Sequence, residues 1–134
     1  MKRHLPTLLA LVAGGSLLTG CVPHAPEGET TTIAVESTTD DCLIERATVE
    51  SGKVTFSVTN SGDRVTEFYL LGDDGLTIVS EVENIAPGST RDVTVVAQPG
   101  TYFTECKPGM SGTGVGTATF TVTGDAIETG TDER

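Results

Sequence analysis

"KVTFSVTN", residues 53–60, decides the architecture of this chain. Val54, Phe56 and Val58 recur at every second position, with Thr or Ser between them. A period of two sends successive side chains to opposite faces, so the run reads as a half-buried strand with those three residues turned inward. "TATFTVT", residues 117–123, repeats the arrangement with Ala118, Phe120 and Val122. Turn signals at "SGD" (61–63), "GDDG" (72–75), "APGS" (86–89) and "QPG" (98–100) cut the chain at spacings that suit an antiparallel β-sandwich. No run of helical length and period competes, and the abundance of Thr and Val agrees with strands. Aromatic content is low, so the core is expected to rest on Val, Ile, Leu and the four phenylalanines. Tyr102, in "PGTYF", is expected to close its strand with the hydroxyl bonded to nearby backbone, as a tyrosine corner does.

Working outward, the sandwich is expected over residues 32–123, with flanks of another character. "MKRHLPTLLALVAGGSLLTGC" places Lys2 and Arg3 ahead of an apolar run from Leu8 to Leu18, then small residues and Cys21. This is the layout of an export signal over residues 1–20. The run is broken by Gly14, Gly15 and Ser16 and falls short of the roughly 18 to 20 apolar residues of a spanning helix. "LTGC" resembles the bacterial lipobox, so Cys21 is expected to be the lipidated first residue of the mature chain, anchored to a membrane without spanning it; the alternative is an ordinary secretory signal cut nearby. Residues 21–31, rich in Pro, Gly and polar side chains, read as a tether, and residues 124–134 as a loose acidic tail.

Removing the leader leaves six basic residues against nineteen acidic ones, a formal charge of −13. That balance repels phosphate, and no Lys/Arg patch with interleaved aromatics appears, so nucleic acid is excluded as a partner. An acidic surface attracts cations and keeps an exported protein soluble. Cys42 and Cys106 remain as an even pair, 64 residues apart. In an oxidising compartment a disulfide is the default, closing a loop that stabilises by roughly 4 kcal/mol on the chain-entropy account. The alternative is two thiolates gripping a soft ion such as Cu(I).

The carboxylates are most informative in "RVTEFYLLGDDGLTIVSEVENIAPGSTRDV", residues 64–93. Strand alternation puts Glu67 on the face shared by Val65, Tyr69 and Leu71, with Phe68 and Leu70 opposite. A carboxylate in that company needs a partner, an exit to water, an arginine such as Arg64 or Arg91, or a bound cation. Glu81 and Glu83, two residues apart in "SEVEN", share a face with α-carbons roughly 6.5 Å apart. Such a pair favours a shared cation or forms a solvated polar face.

"CLIERATVESGKVTFSVTNSG", "TEFYLL", "EVENIAPG" and "PGTYFTECKPGM" occur in that order, and together they resemble the cupredoxin-like N-terminal domain of EfeO, the extracytoplasmic component of a bacterial iron-uptake system. The resemblance runs from about Thr30 to Thr123. It implies an all-β, cupredoxin-like antiparallel sandwich with Greek-key connections that binds copper or iron ions through carboxylates and cysteines. Carried over residue by residue, the ligands it implies are Cys42, Glu67, Glu81 and Cys106, with Glu83 beside them. Many members continue into a large helical imelysin-type domain with a His-x-x-Glu metal motif; the sequence in hand contains no such segment, and that domain's role is not carried over. A blue-copper centre needs two imidazoles, a thiolate and a weak axial methionine. Cys106 and Met110 occupy suggestive positions, but His4 and His24 lie outside the sandwich, so an ion here has to accept carboxylate oxygens. If the cysteines are oxidised, only oxygens remain and a hard ion such as Fe(III) is preferred. If they are reduced, the mixed set leans toward copper, and Met110 helps only a soft ion.

"SGTGVG", residues 111–116, lacks both the dinucleotide fingerprint and the lysine of a phosphate loop, and reads as a flexible connection. No nucleophile and base are paired, and an enzyme is not expected. The expected function is an extracytoplasmic, lipid-anchored protein that binds iron or copper and serves iron uptake or metal handling, beside an iron permease or imelysin-type partner. The alternative is a disulfide-stapled interaction module of the same fold that binds no metal.

Overall fold

The computed structural model describes residues 28–128, so the expected leader, Cys21, most of the tether and the last residues of the tail lie outside the described residues. Among the described residues there are nine strands: β1 (Thr31–Ser37), β2 (Cys42–Ile44), β3 (Thr48–Glu50), β4 (Gly52–Asn60), β5 (Thr66–Leu71), β6 (Ile78–Ile85), β7 (Thr90–Ala97), β8 (Gly100–Cys106) and β9 (Val115–Thr123). They form a four-stranded sheet in the order β2-β1-β4-β7 and a five-stranded sheet in the order β3-β9-β8-β5-β6. The expected all-β sandwich is present. The hairpin β5–β6 belongs to one sheet, and the chain then returns to lay β7 antiparallel beside β4 in the other. This long closure around a hairpin is Greek-key connectivity.

Antiparallel pairing dominates, but each sheet also holds one parallel pair, β1 with β4 and β3 with β9. The cause is the route between β1 and β4. β2 reverses direction beside β1, and β3 then crosses to the second sheet, so the chain re-enters the first in β4, running the same way as β1 and opposite to β2. Local alternation carries no record of such a crossing.

Alternation along β4 does fix what is inside. Val54, Phe56 and Val58 are fully buried, and Phe120 and Val122 of β9 meet them from the other sheet. The Phe56 ring lies 5.1 Å from Phe68 and 5.3 Å, edge-on, from Phe120, within the range in which aromatic pairs attract beyond simple burial. Each such side chain contributes roughly 1.5 to 3 kcal/mol by leaving water.

At one end of the sandwich, polar groups lock the layers together. Ser37 and Thr66 share a buried hydrogen bond of 2.8 Å across the sheets. Asn60, 1% exposed, donates to the carbonyls of Arg64 and Ile85 and accepts the Gly62 N–H. All of its amide capacity but one lone pair is thereby spent on backbone. At the other end Tyr102 donates to the Gln98 carbonyl at 2.8 Å, the expected tyrosine corner. Gln98 also exchanges two hydrogen bonds with the backbone of Ile127, so the start of the acidic tail is held against the sandwich there.

Candidate functional site

β5 lies between β6 and β8, and its two faces differ in chemistry. Phe68 and Leu70 point into the core, and Phe68 is in register with Cys106 of β8. Cys106 is bonded to Cys42, at the start of β2, with α-carbons 5.3 Å apart. Of the two readings of this pair, the structure holds the disulfide, and both residues sit in the core cluster. The thiolate reading therefore applies only to the reduced protein. Gly116 lies against this corner with φ 62°, and a Cβ there would come within 2.2 Å of the Cys42 nitrogen. Only glycine combines that conformation with that approach.

The other face of β5 carries Glu67, Tyr69 and Leu71, as the alternation of "VTEFYLL" requires. Glu67 is 6% exposed. Arg64 lies 4.0 Å from Asp63, and Arg91 donates to the Glu83 carbonyl, so neither arginine is the expected partner. Instead the Tyr69 hydroxyl donates to Glu67 Oε2. A carboxylate offers about four acceptor sites, and the phenol fills one of them.

β6 supplies the remaining carboxylates through a bulge. Thr66 is in register with Ile85 and Phe68 with Val82, so two residues, Glu83 and Asn84, oppose the single Glu67. Asn84 absorbs the irregularity at φ 57°, a conformation asparagine tolerates better than most residues. Val82 stays buried between exposed Glu81 and Glu83, which share the outward face as expected, and Glu81 stands opposite Tyr69. Burial pushes the Tyr69 hydroxyl above the usual tyrosine range, and the hydrogen bond to Glu67 and the charges of Glu67, Glu81 and Glu83 push it further. Three carboxylates thus bear on one phenol. Lys107 answers them in part, with its ammonium 4.9 Å from the centre of the Tyr69 ring.

The turn after β8 runs beside the start of β5. Lys107 N–H and Gly109 N–H donate to the carbonyls of Glu67 and Val65, extending the sheet along the start of β5. Met110 ends the turn at φ 55°, its N–H bonded to the Lys107 carbonyl.

The structure therefore places Glu67, Glu81 and Glu83 on the outer face without gathering them, and joins Cys42 and Cys106 inside. Phe68 and Cys106 share a register position with their side chains inward, whereas Glu67 points outward, so oxygens and sulfurs do not converge. Among the described residues no three carboxylate, thiol or imidazole side chains are already arranged to hold an ion. Exposed Glu81 and Glu83 would have to turn toward buried Glu67 to share one. Tyr69, Lys107 and Asn84 belong to this face but not to the expected set. The i, i+2 spacing of Glu67 and Tyr69 was the available sign of the first.

Comparison with known proteins agrees with this architecture. The family model of the cupredoxin-like domain matches residues 8–118. The iron uptake system component EfeO of Escherichia coli K12, of Shigella flexneri and of Shigella boydii serotype 4 is in each case 35% identical over 74 residues, covering 55% of this chain and 19% of the relative. The chain thus spans about a fifth of the length of these curated relatives. A multicopper oxidase crystal structure aligns over 73% of this chain and 45% of its own, at 13% identity and a TM-score of 0.45, too distant to inform function.

Proposed function

The chain belongs to the cupredoxin-like domain family, and from that premise we propose that it is an extracytoplasmic metal-handling protein of iron uptake, binding Fe(III) as cargo through carboxylate oxygens and performing no catalysis. The observation that carries this reading is Glu67, an almost fully buried carboxylate on the face it shares with Glu81 and Glu83. A carboxylate withdrawn from water is held at a cost that a multivalent cation offsets, and carboxylate oxygens suit hard ions. The disulfide takes sulfur out of the donor set and with it the main preference for copper. The similarity to EfeO, named as an iron uptake system component, supports iron as the ion carried.

The same reading places the protein outside the cytoplasm, where a disulfide persists, anchored through lipid on Cys21. Bound iron would pass to a permease or to an imelysin-type helical partner. Calorimetry of the oxidised protein with Fe(III) and with Cu(II), each supplied as a citrate complex, tests the proposal. Fe(III) uptake that disappears in the Glu67→Ala, Glu81→Ala variant is the expected result; uptake unchanged by the substitutions removes these ligands from consideration.

A second reading is favoured by the closed disulfide and by carboxylates that are not yet gathered: an interaction module that binds no metal. Metal analysis of protein purified without chelators distinguishes the two, since this module carries neither iron nor copper and gives no heat with either ion.

A further inference from the structure

At the end of β5 away from Asn60, the loop from Gly72 to Thr77 presents an apolar side chain to solvent on a rigid support. Asp74 Oδ1 accepts the N–H groups of Leu76 and Thr77, both at 2.8 Å, and Oδ2 accepts the Thr77 hydroxyl at 2.6 Å. The Gly72 N–H donates to the Thr77 carbonyl, and the Gly75 N–H to the Gly72 carbonyl. Leu76, on this braced loop, is 82% exposed, and Ile78 and Val79 follow at 52% and 42% on β6, the edge strand of its sheet. Single exposed apolar residues are ordinary on protein surfaces, and Val79 points away from its neighbour Ile78, but Leu76 and Ile78 belong to one surface feature. Leu76 and Ile78 line a cleft of about 300 Å³ with Tyr69 and Leu71, closed on the far side by Glu105 and Lys107. A hydrophobic anchor already fixed in position loses little entropy on docking.

The surroundings choose the occupant. Asp73 and Asp74 precede Leu76, Glu105 lines the cleft and Glu81 follows on β6, while the cation at hand, Lys107, lies over the Tyr69 ring. A second copy would bring the same carboxylates against these, and an anionic bilayer would be repelled by them. We infer that this cleft docks a segment of a partner protein in which an apolar side chain is flanked by lysine or arginine. Apolar contact with Leu76 and Ile78 supplies the anchor, and the acidic rim supplies orientation and on-rate.

Selection of a random phage-displayed peptide library on the full chain tests this. The expected peptides share an apolar residue flanked by Lys or Arg, bind more weakly as salt rises, and lose tenfold or more in affinity to Leu76→Ser and Ile78→Ser. Leu76 is so exposed that its variant keeps the circular dichroism of the parent. Leu76→Ser leaves Fe(III) uptake as it is in the parent, which separates this site from iron binding. No enrichment, peptides indifferent to charge, or affinity unaffected by Leu76→Ser overturns the inference. So does self-association in sedimentation, or binding to phosphatidylcholine or phosphatidylglycerol vesicles, that Leu76→Ser abolishes.

Discussion

The two faces of β5 are one residue apart in sequence and opposite in consequence. Inward, Phe68 and Leu70 join the core beside the Cys42–Cys106 bond; outward, Glu67 and Tyr69 share a hydrogen bond under the influence of Glu81 and Glu83. The sheet therefore keeps the sulfurs beside Phe68 apart from the Glu67 oxygens, although Glu67 and Phe68 are neighbours in the chain. Its inner sulfurs are spent on a covalent bond, and on the proposed reading its outer oxygens serve to bind an ion. The two functions should break independently.

The largest effect is expected from the inner face. Replacing both Cys42 and Cys106 by serine removes the closure of a 64-residue loop and should lower unfolding free energy by roughly 4 kcal/mol in denaturant titration. Fe(III) affinity of the folded fraction should stay within about twofold, because the sulfurs lie across the sheet from Glu67. A parallel fall in affinity would show that the faces are not separate. Asn60→Ala comes next. It orphans the Arg64 and Ile85 carbonyls and should cost about 3 kcal/mol, measured in the same way.

On the outer face the order of effects reverses. Glu67→Gln keeps an acceptor for the Tyr69 hydroxyl but removes the charge. Stability should move by less than about 1 kcal/mol, and Fe(III) affinity should fall tenfold or more, about 1.4 kcal/mol in calorimetry.

The smallest effect is local and set by pH. Hydrogen bonds from the Thr77 hydroxyl, and then from the Thr77 and Leu76 N–H groups, hold the Asp74 carboxyl at about 2 against its ordinary 3.8. A depressed carboxyl contributes fully above the unfolded value and loses that contribution as pH falls through the folded one. The amide resonances of Leu76 and Thr77 should therefore hold steady through pH 3.8 and shift with a midpoint near 2. Asp74→Asn should abolish that change.

How much of this was legible follows from what alternation can carry. It gave the inward set of Val54, Phe56 and Val58, the placement of Glu67 on the face opposite Phe68 and Leu70, and the shared face of Glu81 and Glu83, because each depends only on neighbours two residues apart. It could not give the parallel pairing of β1 with β4, which depends on a crossing between sheets. Nor could it show that Glu67 meets two residues of β6, since a bulge is a property of pairing, although Asn84 between buried Val82 and Ile85 was a local hint. Cys42 and Cys106 stayed open between disulfide and thiolates because composition names the atoms and only the fold brings them together. The Tyr69 to Glu67 bond escaped because a buried carboxylate suggests an arginine before a phenol.

X-ray absorption at the iron edge, on oxidised protein loaded with one equivalent of Fe(III), reads the donor atoms themselves. A first shell of oxygen alone, depleted by Glu67→Gln, is the predicted spectrum. A sulfur shell, or an oxygen shell that Glu67→Gln leaves intact, would contradict the division of labour between the two faces.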